Sequence, residues 1–281
     1  MSDPKGASQT AVLISGYRAR ATESGEGICD DPWARALAGD SGEALCVQWD
    51  RHWPAMGLWV ALRTRYIDDS VRGAIASGVA QVVILGAGLD TRAARLAADG
   101  VRFFEVDHPS SQDDKRHRLA ALPNYPMSAA TFVSCNFETD DFVERLASAG
   151  LDHAKPTCFV WEGVVYYLGE EAARSTLRRI ASEFTPESGL VFDFLGRNLA
   201  SSGSKLRDED RAMQGMVADL GEPIRFGFND ATPLMNETGY RFVRTVNFDE
   251  LALRYTGTYD RERYFRFQAI AVASASGEPP W

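Results

Sequence analysis

Four apolar residues, Val82 to Leu85, lead straight into Gly86-Ala87-Gly88, and an aspartate, Asp107, follows nineteen residues after the second glycine. Glycines at the end of a strand permit a sharp turn and let a ligand lie close to the backbone. An acid at that distance falls on the tip of the next strand, where two carboxylate oxygens suit the two hydroxyls of a ribose. Glu105 shares a strand side with Asp107 and is an alternative for the same role, with the other acid left in solvent. Thr91 stands where a dinucleotide fingerprint has its third glycine, which weighs against a pyrophosphate at the following helix. The pattern therefore reads as a nucleoside site with a further group pressed against the turn. S-adenosylmethionine, with its ribose and zwitterionic amino-acid tail, has that shape and charge.

Other chemistries lack their residues. None of the lysines Lys5, Lys115, Lys155 and Lys205 has a tyrosine four places before it, so the short-chain oxidoreductase pair is missing. There is no phosphate-cradling Gly-x-x-x-x-Gly-Lys-Ser/Thr and no Gly-x-Ser-x-Gly elbow. His52, His108, His117 and His153 form no metal-binding spacing, and no metal is expected. A nucleoside site without nucleophile or metal suits methyl transfer, in which the methyl group arrives already activated.

The elements that would position these residues alternate. Apolar runs at 81–85, 101–106, 131–135, 157–161 and 189–195 read as strands, and helical patterns at 91–99, 111–122, 140–150 and 170–184 lie between them. Continuous apolar strands with crossover helices indicate a sheet covered on both faces. Later runs at 240–248 and 263–274 read as two more strands, with a helix from about Asp249 between them. The expected fold is α/β, a doubly wound, mostly parallel seven-stranded sheet. Residues 1–78 read as an N-terminal helical cap. Its clearest helix, 56–78, aligns Trp59, Leu62, Tyr66 and Ala74 on one face, placed to cover the carboxyl edge of the sheet. Residues 79–281 form the core, with a polar, partly helical insertion at about 198–232.

The chain has 281 residues, 45% of them hydrophobic, and a net charge of −9. An acidic chain without Lys/Arg runs is a poor partner for nucleic acid. The start has no apolar signal segment, no run is long enough for a membrane span, and the four cysteines are scattered without a Cys-x-x-Cys, so a reduced, cytoplasmic protein is expected. The oligomeric state is open at this stage.

Several words of the sequence occur in order: SQTAVLISGYRARATE, DDPWARAL, ALRTRYIDD, VVILGAGLDTR, FFEVDHP, CNFETDDF and WEGVVYYL. With these the chain resembles the leucine carboxyl methyltransferase family of class I methyltransferases, whose sheet is Rossmann-like. It is most similar to the bacterial branch that includes polyketide O-methyltransferases. The resemblance covers most of the chain, though the last ~80 residues add little. It implies S-adenosylmethionine as cofactor and S-adenosylhomocysteine as product. It implies that Arg63 reaches the methionine carboxylate and that the methionine portion lies on Gly86, Ala87 and Gly88. Asp107 would hold the ribose, Asn136 and Phe137 would flank the adenine, and Glu162 would face the amino group. Asn136 departs from the aspartate usual in the family, and no substrate-side residue marks the acceptor.

On residue pattern alone, Arg63 either serves a ligand or pairs with an acid such as Asp68, and Glu162 is a ligand contact or a loop exit. Phe137 is an adenine shelf or core packing. Asp90 reads as a cap for the next helix, and Asp193, inside an apolar strand, has no assigned partner. Tyr166 and Tyr167 are candidates for touching the acceptor, Tyr167 foremost. The expected activity is O-methylation of a carboxylate or hydroxyl on a small molecule by in-line transfer. The alternatives are a non-catalytic S-adenosylmethionine-binding protein and an NAD(P)-dependent oxidoreductase.

Overall fold

The computed structural model describes residues 8–201, 207–258, 265 and 267–281. Seven strands form one sheet: β1 (Gln81–Leu85), β2 (Arg102–Asp107), β3 (Ala130–Ser134), β4 (Thr157–Trp161), β5 (Gly189–Leu195), β6 (Phe242–Asn247) and β7 (Gln268–Ser274). Their order is β3-β2-β1-β4-β5-β7-β6. The first five run parallel, and β7 enters antiparallel between β5 and β6. Every residue of β1, β4 and β5 is buried, as their largely apolar runs require when both faces are covered, with Asp193 in β5 the one charged residue among them.

Alternation along the strands separates two cores. Val82, Ile84, Phe103, Val160, Val191 and Val272 face one side; Val83, Leu85, Phe104, Phe159, Phe192 and Ala273 face the other. Over the second face lie α6 (Phe142–Ser148), α7 (Glu170–Glu183) and α9 (Ala231–Glu237). In α7, Ala173, Leu177 and Ile180 are buried at the expected one-face spacing. Over the first face lie α3 (Met56–Ala76) and α10 (Phe248–Thr256), which contact each other. Thus α3 covers a face of the sheet, with Trp59, Leu62, Tyr66 and Val71 all buried there. The carboxyl edge is overhung instead by α1 (Gln9–Glu23), which packs along α2 (Ala34–Asp50). Gly39 (φ 60°) breaks α2 near its start, in a backbone conformation that favours glycine.

Two helices differ from the sequence pattern. The helix expected at 91–99 is a single turn, α4 (Arg92–Arg95). Ala97 to Gly100 are exposed and have no apolar face to hold a longer helix against the sheet. The helix expected from Ser111 begins earlier, as α5 (Pro109–Ala120), because Pro109 fits a first helical turn and the His108 side chain caps it. The polar insertion contains α8 (Asp208–Asp219), followed by a strandless stretch to Asp230. Residues 202–206 of that insertion, and 263, 264 and 266 of the last expected strand, lie outside the described residues. No helix among the described residues is long and apolar enough to cross a membrane.

The α1–α2 pair is laced at its surface by Glu43, which bridges Arg20 and Arg35 at 2.5 and 2.9 Å. Hydrogen bonds from Arg20 and then Arg35 hold its carboxyl down at about 2. A depressed native value gives stability that is present above the unfolded value, about 4.3, and is lost as pH falls through the native one. Because these groups are substantially solvated, Glu43→Gln should cost only about 0.5 kcal/mol at pH 7. The difference from the parent should vanish by about pH 2 in urea titrations; a difference that persists there would show that the bridges are not its cause.

Candidate functional site

The strand tips β1, β2, β4 and β5 open onto one cavity of about 700 Å³, roofed by α1, parts of α2 and α8, and the 221–225 stretch. That is within the about 300–1,000 Å³ usual for small-molecule and cofactor sites. Arg63, Gly86, Ala87, Gly88, Asp107, Asn136, Phe137, Glu162 and Tyr167 all line it.

The floor is the turn after β1. Gly86 (φ 66°) and Gly88 (φ 46°) both have backbone angles that other residues rarely adopt. A Cβ at Gly86 would stand 2.4 Å from Val164 Cγ2, and one at Gly88 would stand 3.3 Å from the Ala11 side chain. The turn hangs on β2: Gly86 N–H donates to the Val106 carbonyl at 2.7 Å, and Gly88 N–H donates to Asp107 Oδ2 at 2.5 Å. Asp107 Oδ1 accepts from His108 N–H at 2.7 Å. Burial pushes the Asp107 carboxyl upward against those two hydrogen bonds. Each oxygen retains a second lone pair for a ligand hydroxyl.

Glu105 does not share this position. It is 1% exposed and pairs with Lys115 Nζ of α5 at 2.5 Å, so it is neither a ribose ligand nor solvated. The same lysine donates to the Asp90 carbonyl, fastening the turn from below. Strand alternation could not separate the two acids; the cation one helix later does.

Deeper in, α3 meets the tips of β1, β4 and β5 through buried charge. Arg63 Nη1 donates to Asp193 Oδ2 at 2.7 Å. Its Nε lies 2.8 Å from Glu162 Oε1, but that N–H is not aimed at the oxygen, and both atoms lack a hydrogen bond. Arg92 contacts Glu162 at 2.5 Å, Asp68 at 2.7 Å, and Asp90; Arg95 also contacts Asp68. Asp68 is therefore the partner of Arg92 and Arg95, not of Arg63. Asp193 has three partners: Arg63, the Gly163 N–H at 2.6 Å, and the Tyr166 hydroxyl, which donates to Oδ2 at 3.4 Å. Burial lifts the Asp193 carboxyl, whereas for Glu162 the Arg92 and Arg63 guanidiniums outweigh burial and hold it below the ordinary range.

Asp90 does cap the next turn: its Oδ1 accepts from Arg92 N–H at 2.7 Å. That places a carboxylate where a dinucleotide would put pyrophosphate, and Thr91 is fully buried beside it.

Across the cavity, Asn136 Oδ1 accepts from Glu138 N–H at 2.9 Å, shaping the 136–138 turn and leaving its amide N–H groups directed elsewhere. Phe137 lines the cavity and also packs, with its ring centroid 6.2 Å from that of Phe142. Tyr167 stacks edge-on to Tyr166 at 4.6 Å, and burial raises both phenols well above their usual range. Near neutral pH both remain protonated and can donate but not take a proton. Sequence pattern gave no role to three further lining residues. Arg18 donates to the Leu89 carbonyl at 2.6 Å, and burial raises the Glu222 carboxyl. Gln268 is the third. Glu222 and Gln268 sit in an irregular stretch and at a strand start, where no periodicity flags them.

Comparison with known proteins agrees with this architecture. The family model described as leucine carboxyl methyltransferase matches residues 11–181. A Mycolicibacterium smegmatis protein provisionally named an S-adenosyl-L-methionine-dependent methyltransferase is 36% identical over 213 residues, 70% of each chain. A Streptomyces coelicolor protein with the same provisional name is 33% identical over 230 residues, 77% of each chain. A third of that name, from Mycobacteroides abscessus, is 34% identical over 199 residues, and the match spans 66% of its length. Among solved structures, a DUF574-family protein from Streptomyces avermitilis superposes with a TM-score of 0.64 at 16% identity, covering 95% of this chain and 97% of that one.

The close approach at Gly86 sets a test of the floor. Gly86→Ala should lower stability by about 1–3 kcal/mol, from backbone strain and the clash with Val164. Adding Val164→Ala should recover only part of the loss, since the positive φ remains. Thermal unfolding of both variants measures this; full recovery would place the whole cost in the side-chain contact.

Proposed function

Because the chain belongs to the leucine carboxyl methyltransferase family, we propose that it is an S-adenosylmethionine-dependent methyltransferase acting on a carboxylate or hydroxyl oxygen of a small molecule. The observation that carries the reading is that the Gly86-Ala87-Gly88 turn, Asp107 and the buried Arg63–Glu162 ion pair line one cavity.

The residues fit the cofactor. The glycine turn borders the cavity with backbone, its Cβ directions being taken up by Val164 and Ala11, so the methionine portion could lie against main chain. Arg63 is a cation suited to a carboxylate and Glu162 an anion suited to an ammonium, the two charges of an amino-acid tail, which would enter by dividing their 2.8 Å pair. The spare lone pairs of Asp107 suit the ribose hydroxyls, and Asn136 and Phe137 border the space left for adenine. When bound, S-adenosylmethionine supplies a methyl group activated on sulfur, which an acceptor oxygen takes by in-line displacement.

The chain's share is alignment and exclusion of water. The α1 roof and the 221–225 stretch cover the cavity, and Arg225 pairs with Glu138 across its mouth at 3.2 Å. Tyr167, protonated, can donate a hydrogen bond to the acceptor and orient it. A carboxylate acceptor is ionised near pH 7 and needs no base. For a hydroxyl acceptor, Glu222 is a cavity carboxyl that burial shifts upward and, unlike Asp107, one not assigned to the ribose, so it is the candidate general base.

Calorimetry of the full chain should show one site for S-adenosylhomocysteine and none for NADH or NADPH. No heat with S-adenosylhomocysteine or S-adenosylmethionine would overturn the reading. Asp107→Ala should weaken S-adenosylhomocysteine at least about tenfold, since hydrogen bonds to a charged group contribute about 1.5–3 kcal/mol. An unchanged Kd would remove Asp107 from the ribose.

A further inference from the structure

The cavity has two halves of different character. Around the glycine turn its wall is charged and polar. Beyond Arg63 it is apolar, formed by Trp49, Met56, Leu195, Leu199, Met213 and Phe267, which belong to one continuous cluster. Gln268 stands in that second half as the first residue of β7, paired across the ladder with Leu195. It is 7% exposed, it lines the cavity, and its Oε1 has no hydrogen-bond partner among the described residues. Buried amides are normally satisfied, so an unpartnered amide oxygen on a residue that borders a cavity points to an occupant, met by rotation of the side chain. Asp193, two residues before Leu195 on the same strand side, is the partner of Arg63. The orphan amide therefore lies about one strand repeat, on the order of 7 Å, from the place where the amino-acid tail would be held.

We propose that this half is the acceptor subsite, that it takes an apolar ring- or chain-bearing small molecule of neutral body, and that the Gln268 amide is its polar anchor. The acceptor role rests on the methyltransferase reading; the subsite itself rests on the wall and the orphan amide. Apolar walls exclude a charged body, which would lose its hydration without a counter-charge. An amide offers one acceptor and two donor hydrogens, so it can meet a hydroxyl or carbonyl with no net charge transferred into the pocket. A flexible methionine, Met213, on the facing helix α8 can adjust to the occupant's outline.

2-Naphthol and naphthalene serve as probes on the full chain, with S-adenosylhomocysteine affinity measured in the same preparations. 2-Naphthol should bind one site, and Gln268→Leu should weaken it about tenfold while leaving naphthalene and S-adenosylhomocysteine unchanged. Met213→Trp, on a different element, should fill the pocket and remove binding of both aromatics with S-adenosylhomocysteine unaffected; it keeps the test decisive if Gln268→Leu does not fold. The proposal is overturned if 2-naphthol does not bind, if Gln268→Leu binds it as the parent does, or if Met213→Trp leaves it in place. If S-adenosylhomocysteine fails to bind, the methyltransferase reading falls, and the naphthol comparison without it still decides the subsite.

Discussion

A guanidinium buried between carboxylates of two neighbouring strand tips organises this molecule. Arg63 joins α3 to Glu162 after β4 and to Asp193 in β5, and Arg92 continues the chain of charge from Glu162 to Asp68 and Asp90. Coulomb attraction in a poorly solvated place is strong, but so is the cost of stripping water from each charge. Replacing a whole buried pair by apolar groups is often neutral, whereas removing one member costs about 3–5 kcal/mol because its partner stays charged and unmatched. The network therefore cannot be edited one residue at a time. It locks the helix that covers one face of the sheet to the edge where the cavity opens.

That locking explains why an N-terminal helical block and an α/β core make one site. The sheet alone supplies a glycine turn and an acid on the next strand. Arg63 arrives from α3, Arg18 and Ala11 from α1, and the apolar half of the cavity draws on α2 and α8. Charges are matched near the glycine turn and scarce beyond Arg63, so the cavity is polar where a zwitterion would sit and apolar beyond.

Much of this was legible before any coordinates. Strands β1, β4 and β5 are largely apolar because both faces are covered, and their bounds match the runs residue for residue. The spacing of the glycine turn and Asp107 put both on adjacent strand tips, where they border one cavity and share a hydrogen bond. What was hidden is what depends on distant partners. Arg63 and Asp193 are 130 residues apart, so no local pattern could join them, and Asp68 looked an equally good neighbour. Glu105 and Asp107 have the same strand parity, and only Lys115, delivered by the next helix, distinguishes them. The helix after β1 was read too long because alanines favour helix while the short crossing to β2 leaves their far turn unsupported. Gln268 reads as an unremarkable polar strand end until the cavity behind it is seen.

The hydrogen bond from Gly88 N–H to Asp107 bears on how such a site can change over evolution. On the proposed reading, one carboxylate both shapes the turn and would present the groups for a sugar, so scaffold and recognition would share an atom. A lineage drifting toward a cofactor lacking those hydroxyls could not simply discard the acid, because the loop beneath would lose its tether. Diversification is channelled away from this corner and toward the roof, where α8 and the 221–225 stretch can be rewritten without disturbing the floor.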